Sequence, residues 1–365
     1  MDGLVTTPSP SVPGQAEPDD PSAGSSQNYL LIGSDQRDGA NEAIAGPDST
    51  RGSDTTILAH ISSDRTRVEL VSIPRDSMVR IPSCSAGDGS SSEPRAKAQF
   101  NKAFAIGWEL GGDLRTAAAC TWNTVQENTG LAIDHVVVVD MVGFQQMIDA
   151  IGGVDICIPS PMKDEYTGLD IPTAGMTHLD GVTALQFARA RHVEGTDGSD
   201  LNRIGSQQRL LAAVMTSLLS KHIVTDVPEL LSFLSAVTSS LTLDDGLSLP
   251  ALSGLAYSAR NLSSDGITFM TIPNGPDPDD SDRVVWTAAA GAVWSDMAHD
   301  VPIVAPDVPT VALDAPGVPV TPSASASSAA APPVAAPPTT APLPVDTKNA
   351  GHEPFTGSDV TATCD

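Results

Sequence analysis

The chain has 365 residues with 45 acidic against 19 basic side chains, a formal net charge of −26. That balance excludes nonspecific affinity for nucleic acid or for an anionic membrane surface, though not a local anion pocket. An apolar content of 40% supports a sizeable core in one large domain or two ordinary ones, and with only 4% aromatics that core must be Val, Leu, Ile and Ala.

Residues 1–27 are a Pro/Ser/Gly/acidic stretch that cannot bury enough surface to order itself, and read as a linker such as begins a truncated chain. No window reaches the roughly 18 consecutive apolar residues of a membrane helix. Short β-branched runs bounded by Gly, Pro or Asp then predict strands at 28–35, 54–62, 68–74, 135–140, 154–159 and 267–273. Helical periodicity alternates with them at 114–130, 141–153, 204–222 and 249–262, the first two closed by glycine. This order predicts an α/β (α+β) fold: one large domain over 28–302, with a central mixed β-sheet flanked by helices, between disordered N- and C-terminal tails. Residues 303–365 form the second tail, whose Ala/Pro/Ser/Thr tract at 322–346 should be extended and solvated.

Charged residues collect where predicted strands end, which is where α/β sheets build sites. "NYLLIG" empties into "SDQRDG", "RGSD" enters the second strand, and "SIP" delivers Arg75, so Asp35, Arg37, Asp54 and Arg75 all lie at strand termini. Two carboxylates and an arginine there suit one hard cation and one anion, because Mg²⁺ takes few protein carboxylates and leaves room for phosphate oxygens. Each also has an ordinary structural role open to it: Asp35 in a turn, Asp54 as a strand-entry cap, Arg75 as a partner for Asp76. In "LQFARARH", Arg189 and Arg191 share a face if the segment is extended. Arg203 and Gln207 share a face near the start of the following helix. Arginine's planar fork matches phosphate oxygens bidentately, so this set reads as a diphosphate clamp, with surface salt bridges as the alternative.

No phosphate-binding Walker loop, zincin motif, nucleophile elbow or dinucleotide fingerprint is present. His135, His178 and His192 sit in packing or surface contexts. The four cysteines form no CxxC pair and lie beside no histidine at zinc-ligand spacing, which argues against a structural metal. An even count fits two disulfides and an oxidising compartment, with a buried free thiol as the alternative for Cys157.

The ordered run GSDxR, SDT, SIPRD, an Asn-Lys-Ala segment with GG, "GLAIDHVVVVDMVGFQQMIDAIGGVDICIP", "LDGVTALQFARARH" and "DLNRIGSQQ" resembles the LytR-CpsA-Psr family of cell-wall glycopolymer ligases over about residues 28–222. The Pro/Ala-rich tail and the cysteines resemble actinobacterial members. The resemblance implies a phosphotransferase that attaches a glycopolymer from a polyprenyl diphosphate carrier to peptidoglycan through a phosphodiester. It also implies Mg²⁺ and a place on the extracytoplasmic face of the cell membrane, held by an N-terminal helix not among these residues. By motif, Asp35 and Asp54 match the magnesium carboxylates, and Arg75, Arg189, Arg191, Arg203 and Gln207 the diphosphate contacts. Arg51 stands one residue further from "SDT" than the family's arginine. Asp35 and Asp38 are candidates for the general base, and apolar residues in "VVVVDMVGF" and "LLAAVMTSLL" for a polyprenyl wall or ordinary core. In a secreted domain of this kind, Cys84 is expected to pair with Cys120, leaving Cys157 for Cys364. Rival readings are a polyprenyl diphosphate pyrophosphatase, a noncatalytic polyprenyl-phosphate carrier and a structural wall-binding protein.

Overall fold

The architecture comes from a computed structural model that describes residues 18–37, 39–46, 51–193, 199–220, 226–238, 241–304 and 348–360. Seven strands make a central sheet: β1 (Gln27–Ser34), β2 (Ser53–Ile61), β3 (Val68–Ser72), β4 (His135–Val139), β5 (Leu241–Leu243), β6 (Ile267–Thr271) and β7 (Phe355–Thr356). Their order is β5-β4-β1-β2-β3-β6-β7. The pairs β1/β4 and β3/β6 are parallel and the others antiparallel, so the sheet is mixed.

Two-residue alternation sorts the strand side chains onto opposite faces. Leu30, Ile32, Leu58, Val71, Val138 and Met270 join one core with the helices Lys102–Gly111, Leu114–Thr129 and Ala288–Ala298. Tyr29, Leu31, Ile57, Ala59, Leu70, Val137 and Phe269 face the other way. A second core lies beyond that face, where α1 (Met141–Ala150), α2 (Gly181–Arg189) and α3 (Asp200–Ser220) pack with two ribbons, Val154–Ile158/Gly175–Leu179 and Met162–Asp164/Leu169–Ile171. Aspartates start the first two of these helices. Asp140 accepts from Gly143 N–H at 2.7 Å and Asp180 from Thr183 N–H at 2.8 Å, each satisfying an otherwise orphaned amide.

The strand expected at 154–159 forms at Val154–Ile158, in a ribbon outside the central sheet. Two expectations are corrected. "LQFAR" is the end of α2 rather than an extended segment, because the Asp180 cap nucleates a helix whose Leu185, Phe187 and Ala188 are buried. The ordered region also exceeds 28–302 at both ends. Arg65 donates to Asp20 (3.0 Å), to the Ser22 carbonyl (2.7 Å) and to the Ser25 carbonyl (2.9 Å), fixing residues that composition assigned to the linker. Phe355, assigned to the tail, is buried and stacks on Phe269 with centroids 5.0 Å apart. The tract 322–346 lies outside the described residues.

Cys84 and Cys120 are bonded, tying the chain after Met78–Ile81 to the helix Leu114–Thr129. Cys157 is also disulfide-bonded rather than a free thiol. Cys364, its expected partner, lies outside the described residues. Among the described residues, no helix is long and apolar enough to cross a membrane.

Candidate functional site

One end of the sheet opens into a cavity of about 880 Å³ between the β1/β4 face and helices α1, α2 and α3. Because β1, β3 and β4 run in one direction and β2 in the other, Asp35, Arg75 and the start of β2 meet there. The register of β1 with β2 slips at this point. Gly33 faces Thr55 and Ser34 faces Ser53, which leaves Asp54 as the extra residue of a bulge and re-aims its side chain. Asp35, Arg37, Arg51, Asp54, Arg75, Arg189, Arg191, Arg203 and Gln207 all line this one cavity. Asp38 lies outside the described residues.

The inner part of the cavity is a lattice of opposite charges. Arg75 donates Nη1 to Asp54 Oδ1 at 2.7 Å and has Nε 3.6 Å from Asp76 and 3.5 Å from Asp200. Arg203, 3% exposed, reaches the Asp54 carbonyl at 2.9 Å and Asp200 at 2.5 Å. Burial opposes ionisation of Asp54, but Arg203 and Arg75 outweigh it and hold the carboxyl below the usual range. At Asp200 burial wins and pushes the carboxyl up. Asp76 is not left to Arg75 alone, since Gln99 donates to it at 2.8 Å and Arg283 at 3.4 Å.

The outer arginines differ. Arg189 and Arg191 make no side-chain hydrogen bond or ion pair with any described residue. Burial and the nearby charges of Arg75 and Arg203 lower the pKa of Arg191. The backbone under it is nevertheless rigid. Asp164, 1% exposed, accepts from the Arg191 and His192 N–H groups at 2.8 and 2.9 Å. Gln207 donates to the Ala188 carbonyl at 3.1 Å, which fixes the end of α2 just before Arg189. Asp200 and Asp54 lie near enough to act on the half-buried Arg191 guanidinium, but none of the described carboxylates pairs with it, so its donors are available to an anion.

Elsewhere on the wall Arg37 makes a two-point pair with Asp35 at 2.9 and 3.3 Å, and the Arg51 guanidinium stands 4.8 Å over the Trp108 ring. Past the charges the lining turns apolar, with Leu31, Val137, Phe144, Met147, Leu211 and Val214 among it. Asp35 and Asp54 supply hard oxygen donors, and no group of three or more His, Cys, Asp or Glu gathers as a metal cage among the described residues. His192 borders the cavity, His135 contacts Asp244 at 3.2 Å and His178 contacts Asp155 at 2.9 Å.

Sequence reasoning missed Asp164, Asp200 and Tyr166. Asp200 had a visible signal, its i,i+3 spacing to Arg203 at the start of a helix. Asp164 and Tyr166 had none, since the contacts that join their turn to the site, with Arg191 and His192, reach a distant segment.

The LytR_cpsA_psr family model matches residues 7–293. The chain is 32% identical over 280 residues to the probable cell wall biosynthesis protein LcpB of Corynebacterium glutamicum, covering 74% of this chain and 60% of that protein. It is 33% identical over 221 residues to the polyisoprenyl-teichoic acid–peptidoglycan teichoic acid transferase TagU of Oceanobacillus iheyensis, covering 60% and 59%. The match thus spans about three fifths of the length of each relative. Among solved structures, the LytR-Csp2A-Psr enzyme from Actinomyces oris shares the fold with a TM-score of 0.55 at 24% identity, over 76% of this chain and 91% of that one.

Proposed function

The chain belongs to the LytR_cpsA_psr family, and on that premise we propose that it transfers a glycopolymer from a polyprenyl diphosphate carrier to peptidoglycan. The observation that carries this reading is the meeting, in one cavity, of an apolar wall with Arg189 and Arg191, whose guanidinium groups pair with no described residue. Such a site suits a ligand with an anionic head and a long apolar tail. The relative named as a teichoic acid transferase supports the same class of reaction.

In this reaction an acceptor hydroxyl oxygen attacks the phosphorus that bears the glycan. The new P–O bond is the phosphodiester link, the bridging P–O bond breaks, and polyprenyl phosphate leaves with its electron pair. The hydroxyl proton passes to a carboxylate, for which the candidates are Asp38 and, where it does not hold Mg²⁺, Asp35. Arg189, Arg191 and the fork of Arg75 offer fixed positive charge to the oxygens on which charge develops. Arg203 holds Asp54 and Asp200 in place, and Gln207 holds the end of α2. Asp35 and Asp54 fit Mg²⁺, which uses few protein carboxylates, and when bound the ion would neutralise charge on the diphosphate. The Cys84–Cys120 bond supports a place in an oxidising compartment, at the extracytoplasmic face of the cell membrane.

The test is incubation with a defined polyprenyl-diphosphate glycan, peptidoglycan and Mg²⁺. The expected products are phosphodiester-linked glycan and polyprenyl phosphate. Polyprenyl phosphate released with no glycan on the acceptor overturns transfer in favour of hydrolysis, and binding without turnover overturns catalysis.

A further inference from the structure

Tyr166 is 83% exposed, more than any other large apolar side chain among the described residues. It is not loose. Its ring lies against that of His192 with centroids 4.5 Å apart at 46°, and both rings border the cavity. A single carboxylate fixes the pair. Asp164 Oδ1 accepts from the Tyr166 and Thr167 N–H groups at 2.9 and 3.3 Å, while Oδ2 accepts from Arg191 and His192. The loop that carries Tyr166 and the segment that carries the unpaired Arg191 therefore hang from opposite oxygens of one buried group. The Tyr166 hydroxyl makes no hydrogen bond with any described residue.

A rigid, exposed aromatic face with a free hydroxyl at its edge is matched by a ligand that is apolar on one face and polar at its rim. A pyranose ring has that form, since its axial C–H bonds make an apolar face bracketed by hydroxyls. The position adds a constraint. A ring on this platform lies beside Arg191, so it belongs to a sugar joined to, or about to be joined to, the phosphate held there. We propose that Tyr166 and His192 form a platform for the hexopyranose that flanks the reacting phosphate, an inference that rests on the phosphotransfer reading above. Asp164 is the positioning residue that keeps platform and guanidinium in register.

The test uses two probes, a short-chain polyprenyl diphosphate bearing one N-acetylhexosamine and the same lipid diphosphate without sugar, titrated calorimetrically, together with the KM for peptidoglycan acceptor. Tyr166→Ala is expected to weaken the sugar-bearing lipid or to raise the acceptor KM by roughly tenfold, with affinity for the sugar-free lipid held within about twofold. Tyr166→Phe keeps the ring and loses the rim hydroxyl, so its loss should be smaller than that of Tyr166→Ala, and a loss as large as that of Tyr166→Ala overturns stacking on the ring. Loss confined to the sugar-bearing lipid places the donor sugar on the platform, and loss confined to the acceptor KM places the acceptor sugar there. Equal weakening of both lipids, or no change in any of the three measurements, overturns the platform. Wild-type protein that binds neither lipid overturns the phosphotransfer reading and the platform with it. By contrast, sugar-free lipid bound by wild type and lost in Arg191→Ala leaves the phosphate site standing, whatever Tyr166→Ala does.

Discussion

Arg75 stands within 3.6 Å of three carboxylates while Arg191 forms no ion pair with any described residue, and this asymmetry separates the two jobs an arginine performs in the cavity. Charge alone satisfies the carboxylates around Arg75, so Arg75→Lys should keep the fold. A phosphate needs more, because lysine offers one point charge in place of two parallel donors. Turnover of Arg75→Lys is therefore expected to fall nearly as far as that of Arg75→Ala, by about 10²–10³-fold, as when one preorganised donor is removed from a water-poor site. The measurement is turnover of a polyprenyl-diphosphate glycan by wild type and both variants, with thermal melting as the control for folding. Wild-type turnover in the lysine variant would reduce Arg75 to a structural partner of Asp54. At this scale the sequence was informative about which arginines converge, because strand ends and helix spacing are local signals. It was silent on Asp164, whose four backbone donors come from its own turn and from a segment 27 and 28 residues away.

Among the elements, the longer strands and helices were legible from their periods, whereas short elements completed by distant partners were not. Strand β7 is two residues long and, among the described residues, pairs only with β6, so nothing local marks it. Its anchoring is nonetheless tight: Gly351 N–H donates to Gln208 Oε1 at 3.0 Å, and a Cβ at Gly205 on α3 would collide with the Ala350 carbonyl oxygen. The segment thus packs against the helix that carries Arg203 and Gln207. Phe355→Ala is expected to destabilise the protein by about 3–5 kcal/mol, as removal of a buried phenyl does, read as a shift in the denaturant midpoint. A shift below about 1 kcal/mol would mean that the edge strand contributes little to the core. The residues before β1 make a second case. Burial opposes ionisation of Asp20, but hydrogen bonds from Ser22, Arg65 and Ser258 overcome it and hold the carboxyl at about 2. Its folded pKa lies below the ordinary 3.8, so its contribution to stability is present above that value and is lost as pH falls toward 2. Asp20→Asn should flatten the acid limb of a stability–pH profile in that window. An unchanged limb would show that the Asp20–Arg65 bond does not couple to folding.

For the molecule as a whole, the distribution of charge has a kinetic consequence. Arg37, Arg51, Arg75, Arg189, Arg191 and Arg203, out of 19 basic residues in all, line a single cavity in a chain of net charge −26. On the proposed function, an anionic lipid diphosphate would meet repulsion at long range and attraction only at the mouth. Salt acts unequally on the two, because the screening length falls from about 30 Å at 0.01 M to about 10 Å at 0.1 M, while partly buried contacts are screened much less. Across that range kcat/KM for the lipid diphosphate is expected to rise as the distant carboxylates are screened, the reverse of a protein whose whole surface attracts its substrate. The measurement is initial rate at limiting substrate over a salt series at constant Mg²⁺, with KM and kcat resolved at the two ends. A kcat/KM that falls steadily from the lowest salt would mean that the arginine cluster projects its field beyond the acidic surface, and that encounter is steered by the cavity alone. A rise confined to kcat/KM with kcat unchanged locates the effect in encounter, where a net negative shell around a positive cavity puts it.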